Sequence, residues 1–560
     1  AEDEYFADGI SDEIRSRLAA VRKLGVISRS SAFQYKDTDK TNRQIGAELG
    51  VDYLIDGTIR WDKRGGGAGR VRITPELIRI SDDMSLWSQP YNRVLEDIFE
   101  VQSDIAGQVI KQLKITLLEP ERQAIDVKPT ENSDAYHAYL RGLDYAGRPD
   151  SSKEDLSFAV QMFKRAVSID PDFAIAYAEL SMVQSLIHHL GYDRTEVRAA
   201  KAKSAVERAL ELQPDLPETH LSLGYYHYYC YREYGRALEA LAIAEKGLPN
   251  DARILLGVGA IRRRQGRLAE ALDNMKRASV LSPIDANLAH NIAQNYSMLR
   301  RYPDAERWCD RSISMAPNQV VAYERKALIH WLWHGNVEKG RIVLEEKPRI
   351  NTPRSIFYWF QQELFERNYQ AALDRLASTP GESLEYQFWF IPKSQLAGLV
   401  YRLMGESERS REAYETARIL LEEEIEKRAE DHRVRSSLGI VYAGLGRKED
   451  AIREGKRGVE LFPVSRDALI GPYRVEDLAF IYTLVGDYDA ALDRLEYLLS
   501  IPSETMSVPM LRLDPRWDPL RDHPRYKELL RRHGFDPDSK PQATELLRAK
   551  PPDEPTDSGG

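Results

Sequence analysis

Internal periodicity constrains this chain more than any other feature. Between residues 252 and 317 the sequence superimposes on itself after a shift of about 34 residues. Gly259 then falls on Ala293, Gly266 on Arg300, Ala271 on Ala305, Ala278 on Ser312 and Pro283 on Pro317. Small residues at such positions let two antiparallel helices approach closely, and bulkier groups such as Met275 and Cys309 fill the space between neighbouring pairs. The proline ends the second helix of each unit, because it lacks the N–H that would continue it. A helix pair that is apolar on one face cannot bury that face alone, so pairs stack and each completes the core of the next. Such an array accommodates 560 residues without one very large core.

The same marks recur along the chain. Ala159, Phe163, Ala166 and Pro171 follow a widened turn around Pro149. Leu180, Ala202, Ala209 and Pro214 follow, with an insertion near His188–Arg194, and then Leu223, Gly224, Ala237, Ala244 and Pro249. The pattern blurs through 320–400, where Tyr323, Ala327 and Gly335 suggest one degenerate unit and Tyr369 with Ala372 another. It returns at Gly398, Tyr401, Gly405, Tyr414 and Ala417, and sharpens at Leu438, Gly439, Tyr442, Gly446, Ala451 and Pro463. A last unit shows Leu478, Ala479, Tyr482, Gly486, Tyr488 and Ala491, giving about ten units over 133–503. These residues resemble the tetratricopeptide repeat (TPR) family over about two thirds of the chain. The resemblance implies a mostly α fold, a right-handed solenoid of antiparallel helix pairs, with a groove that takes extended peptides or partner helices.

Residues 1–118 read as a small α/β domain. Helices are expected at Ala7–Arg22, Asn42–Leu49 and Ile98–Leu117, and strands at Gly25–Ser28, Val51–Trp61, Arg70–Ile80 and Leu86–Tyr91. Gly65–Gly67 supplies the turn of the central hairpin. The segments YFADGISDEI, VISRSSAFQYK, IGAELGVDYLIDGTIR, RVRITPELI and WSQPYNR with LEDIFEVQSDIA resemble the TolB amino-terminal-like (FlgO-like) domain. In bacteria that domain often precedes TPRs behind adenylate cyclase, serine/threonine kinase or winged-helix modules. Its members usually begin with an apolar strand before the YFADG turn, so here the first strand is expected to be missing and a catalytic module could lie upstream. Residues 119–132 read as a linker. LRLDPRWDPLRDHPRYKELLRRHG looks like the closing segment of such TPR proteins, a cap over 504–535 with Leu511, Trp517 and Leu520 inward and a short helix Pro524–Arg532. The proline-rich, polar residues 536–560 read as a disordered tail.

No catalytic, cofactor-binding or metal constellation emerges. GGGAGR at 65–70 lacks the Lys-Ser/Thr pair of a phosphate loop and leads into a strand. Adjacent histidines His188–His189 point different ways on a helix and lack supporting ligands, and Cys230 and Cys309 are isolated. No GxSxG elbow presents a serine, and the acidic run from Leu421 to Glu426 reads as a solvated helix face. A formal charge of −9 argues mildly against nucleic acid as a partner, leaving a local basic face open, and no apolar run is long enough for a membrane span.

What remains is surface, and a protein or peptide partner. The phase places Leu221, Tyr225 and Tyr228, then Leu256, Ala260, Arg263 and Arg264, then His290, Gln294 and Ser297, then Glu324, Leu328 and Trp331 toward the groove. Aromatics with arginine dominate binding hot spots, so the expected partner surface is Tyr225, Tyr228, Arg263, Arg264, His290, Gln294 and Trp331. The other reading is that the tyrosines of YYHYYCYREY pack between helices and the arginines solvate one face. A clamp for a terminal carboxylate is not expected, because Asn291 and Arg325 fit its pattern but Leu256, Ala260 and Val321 do not.

Overall fold

The structure, a computed structural model, describes residues 2–36, 38–62, 70–94, 98–126, 128–148, 152–350 and 352–537. The glycine turn at 65–67, the turn at Pro149 and nearly all of the tail from 538 onward lie outside the described residues. The chain divides into two compact units, Ala1–Arg262 with Arg267–Ile292, and Arg263–Gly266 with Ala293–Gly560.

The first unit opens with α1 (Glu2–Ala19), the short α2 (Arg29–Ala32) and α3 (Asn42–Leu49). Thr41 and Gln44 form a reciprocal capping box at the start of α3, and Gly50 ends it in the left-handed region at φ 67°. Strands β1 (Tyr53–Asp62), β2 (Arg70–Arg79), β3 (Met84–Ser88) and β4 (Tyr91–Val94) follow, then α4 (Ile98–Gln112) and α5 (Glu119–Asp126). β2 is central and antiparallel to all three others, with β1 in register from Tyr53 opposite Arg79 to Asp62 opposite Arg70. Val71, Ile73 and Leu77 alternate onto one face and enter a core that also holds Ile10, Ile14 and Leu18 of α1 and Val101, Ile105 and Val109 of α4. The same core continues through Tyr136, Tyr139, Leu140 and Phe163 of the first helix pair. Close packing forces this: a Cβ on Gly9 would overlap the Leu140 side chain.

One expectation for this region is corrected. Gly25–Ser28 is not a strand, because its hydrogen bonding goes to the repeats. The Ser28 N–H donates to the Leu281 carbonyl at 2.7 Å, and Asn250 Nδ2 donates to the carbonyls of Val21 and Leu24. Residues 119–132, expected to be a linker, carry a short helix. α5 occupies its first half, with Ile125 buried and the Glu121 carboxylate accepting from the N–H groups of Arg22 and Leu118.

From Ser133 to Ser500 the chain forms ten successive helix pairs, so the fold is mostly α. Pairs one to three are Ser133–Ala146 with Lys153–Ile169, Ala174–Leu190 with Glu196–Leu212, and Pro217–Tyr226 with Tyr234–Gly247. Pairs four to six are Ala252–Arg264 with Leu268–Leu281, Ala286–Met298 with Tyr302–Met315, and Val320–His334 with Val337–Glu346. Pairs seven to ten are Pro353–Phe365 with Tyr369–Ala377, Lys393–Leu403 with Ser407–Lys427, His432–Gly444 with Lys448–Leu461, and Gly471–Leu484 with Tyr488–Ser500. The blur at 320–400 has a cause: pair seven has a nine-residue second helix, and a small hairpin, β5 (Ser383–Glu385) with β6 (Phe390–Pro392), stands before pair eight.

The repeated small residues do what their spacing requires. A Cβ on Gly259 would stand 2.8 Å from Met275 Cγ and 3.0 Å from the Ala271 carbonyl oxygen, so pair four closes only with glycine there. The turn inside most pairs needs one left-handed residue. Gly446 supplies it at φ 77° in pair nine, and Arg300 at φ 56° in pair five. After pair ten, Leu511, Trp517 and Leu520 are fully buried and Pro524–Arg532 is a short helix.

Candidate functional site: the inner face of the helix pairs

All seven side chains expected to present a partner surface are buried. In the first unit the Tyr225 hydroxyl donates to the Arg253 carbonyl at 2.8 Å, and its ring lies 4.9 Å from that of Tyr229. Tyr228 lies 5.1 Å from the same ring, which also stacks on His189 at 4.1 Å. The first helix of pair three widens into a π-helical turn over His227–Tyr231, which gathers these rings into one packed cluster. Burial drives the Tyr225 hydroxyl well above its ordinary pKa. His290 is buried in the first unit, on the first helix of pair five.

In the second unit the picture differs. Trp331 has no exposed surface; its Nε1–H donates to Gln362 Oε1 at 3.1 Å, and its ring meets Tyr358 and Phe365 at 5.9 and 5.2 Å. It therefore packs between pairs six and seven instead of facing a groove. Arg263 is also buried, and Arg264, 2% exposed, donates to Asp467 Oδ2 and to Gln387 Oε1, both at 2.9 Å. Its carbonyl accepts from the Ala468 N–H. Gln294 Nε2 donates to Glu504 Oε1 at 2.7 Å, and Arg325 Nη1 donates to the other oxygen of the same carboxylate.

Glu504 belongs to an irregular segment, residues 501–507, that joins pair ten to the closing helices. Arg300 holds its start by donating to the carbonyls of Leu498, Leu499 and Ile501 at 3.2, 2.8 and 3.1 Å. Ser507 holds its end by donating to the Leu332 carbonyl at 2.7 Å. This strap thus lies along the helices of pairs five and six, on the face the repeat phase assigns to a ligand, with a carboxylate gripped from two helices.

Beside the strap is a cavity of about 130 Å³ with an aromatic wall: Phe357 lies 4.7 Å from Trp389, Trp389 5.7 Å from Tyr386, and Phe388 4.8 Å from Tyr473. Four guanidiniums line it, each with a carboxylate. Arg325 meets Glu504, Arg354 meets Glu324 at 2.9 Å, Arg474 meets Asp477 at 3.0 Å, and Arg516 meets both Glu476 and Asp514 at 2.7 Å. Burial pushes Glu476 up to about 7, against the attraction of Arg516. Cys230 and Cys309 are likewise pushed up by burial, to about 11 and about 12, so both are protonated at neutral pH. Among the described residues no group of three His, Cys, Asp or Glu could hold a metal, and no helix is long and apolar enough to cross a membrane.

Sequence reasoning missed Arg354, Arg474, Arg516 and Glu504. A usable signal existed: Arg474 sits at a buried phase, one residue before Val475 and four before Leu478. A charge at such a position is stable only when paired.

No model of a known protein family matches the chain. A Rhizobium meliloti protein named “Putative adenylate cyclase 3” is 31% identical over 226 residues, which are 40% of this chain and 37% of that protein. The chain thus spans little more than a third of that relative's length. Among solved structures, human IFIT1 in its dimer with m7Gppp-AAAA is 14% identical, with 65% of this chain and 77% of that chain covered at a TM-score of 0.37. Pseudomonas aeruginosa PilF is 16% identical, with coverages of 36% and 89% and a TM-score of 0.30. A tetratricopeptide repeat protein from Parabacteroides merdae is 16% identical, with coverages of 48% and 99% and a TM-score of 0.34.

Proposed function

We propose that this chain is a non-enzymatic protein-interaction scaffold whose helix pairs take an extended peptide along their first helices, in bacterial signalling or envelope assembly. The observation that carries this reading is the grip of Gln294 and Arg325 on Glu504: the face already holds a non-helical, carboxylate-bearing segment, the chain's own. A partner using that face would replace the strap, so its matching feature is an acidic residue in an extended stretch. Of the expected partner surface, Gln294 belongs to this reading. Arg263 and Trp331, buried in the same unit, would support the face from within.

The test is retention of an extended-peptide array by the full chain and by Glu504→Ala, which frees Arg325 for another carboxylate. Acidic peptides should be retained several-fold better by the variant, and peptides with glutamine in place of glutamate should not. Equal retention of both peptide sets would remove the groove reading.

A second reading has its own support. The 31% identity over 226 residues to the Rhizobium protein favours a regulatory region of a nucleotide cyclase, with a TolB-like module ahead of the repeats. Reading the genomic sequence before Ala1 separates the two: cyclase motifs there support the regulatory role, and a stop codon or short leader overturns it.

A further inference from the structure

A second concavity in the second unit, of about 510 Å³, is walled by the second helix of pair six and by pair seven. That volume is in the range of small-ligand sites. Its polar lining is basic: Arg341, Lys347, Arg349 and Arg375 face it, against one lining carboxylate, Glu345. Two of the four cations are already neutralised. Arg341 pairs with Glu363 and Glu366, and Arg375 donates to Glu363 at 3.3 Å while its guanidinium lies 4.4 Å from the centre of the Trp359 ring.

The other two are not neutralised. Lys347 is only 7% exposed, yet among the described residues its ammonium has no hydrogen-bond or carboxylate partner within 4 Å. Arg349 is exposed at the mouth and has no such partner either. The Lys347 ammonium itself keeps some solvent contact, while the rest of the side chain is covered, so an anion in the concavity would offset the partial desolvation. Burial indeed lowers the affinity of Lys347 for its proton, with the more distant Glu324 opposing. An anion in the concavity would supply the missing partner.

We infer that this concavity binds a small phosphate-bearing molecule, with Lys347 and Arg349 neutralising its phosphate group. Two unpaired positive charges match a phosphate monoester dianion better than a monocarboxylate, which would leave one charge uncompensated. The volume beyond a phosphate group leaves room for a compact organic portion, such as a pentose. Trp359 is not available to stack on that portion, since Arg375 and Arg341 lie over its ring.

Isothermal titration of the full chain with ribose 5-phosphate, inorganic phosphate and succinate tests the assignment. Ribose 5-phosphate is expected to bind at least tenfold more tightly than succinate, and inorganic phosphate to fall between them. Lys347→Met removes a buried, unpaired charge, so the protein should stay folded by circular dichroism while ribose 5-phosphate binding weakens at least tenfold. Arg349→Ala, at an exposed position, should weaken it several-fold and reduce its salt dependence. Succinate binding as tightly as the phosphates, or affinity unchanged in both variants, overturns the proposal, as does absence of phosphate binding by the native chain.

Discussion

Arg325 and Glu504 show what a buried charge does in this protein. Glu504 exerts the largest charge attraction on Arg325, and Gln294 adds a second hydrogen bond to the carboxylate. Arg325→Met should cost about 3–5 kcal/mol in urea unfolding, because it strands a buried carboxylate. Joining it to Glu504→Leu should recover most of that loss, since an apolar pair of similar volume removes both desolvation penalties. A double variant less stable than Arg325→Met would contradict this account. His330 carries the opposite sensitivity. It is buried, with Glu306 at 3.4 Å and Lys326, Lys339, His334 and Asp310 nearby. Burial first, then the neighbouring cations, lower it from 6.5 to about 4. The unfolded chain therefore binds the extra proton more readily, so the stability His330 contributes is full above pH 6.5 and is lost as pH falls toward 4. The loss is on the order of 3 kcal/mol at the lower limit. His330→Phe should flatten the dependence of the unfolding midpoint between pH 7 and 4 relative to the native chain, and parallel curves would refute that sign.

At the scale of elements, the helix pairs depend on close approach and on their turns. In pair nine a Cβ on Gly439 would stand 2.9 Å from the Gly455 nitrogen and 3.0 Å from the Ala451 carbonyl oxygen, where backbone must give way. Gly439→Ala should thus lower stability by about 1–3 kcal/mol despite alanine's better helix propensity, as thermal unfolding would show. Arg300 sets two effects against each other. Its left-handed backbone favours glycine, but its guanidinium donates to three carbonyls at the start of the strap. The bonds outweigh the strain, so Arg300→Gly should destabilise by about 1–3 kcal/mol and speed amide exchange at residues 501–507. A stabilised Arg300→Gly would reverse that ranking. These turns and close contacts were legible as spacing, whereas the switch from glycine to arginine at one turn was not. It rests on a partner about 200 residues away.

For the whole molecule, the strap and the closing helices finish the second unit as a cap finishes any solenoid. Deleting residues 501–537 would uncover the aromatic wall of Phe357, Trp389 and Tyr473 and leave Arg325 without Glu504. The shortened chain should bind a hydrophobic fluorescent dye and melt at a lower temperature, by both dye fluorescence and circular dichroism. Unchanged dye binding would mean that the strap covers nothing.

The sequence by itself determined the helix pairs, their small-residue contacts and the hairpin of β1 and β2, because those depend on periodicities of a few residues and on local turn chemistry. It also placed Gln294, Glu324 and Leu328 on the phase expected to face a groove. Only the tertiary structure decided what those positions touch. The strap that fills the inner face, the pairing of Arg264 with Asp467, and the inward packing of Tyr225, Tyr228 and Trp331 all join residues far apart in the chain. So does the bonding of Ser28 to the end of pair four in place of a sheet. Phase says which way a side chain points, but whether water, another helix or the chain's own terminal segment meets it is a long-range matter that no local pattern records.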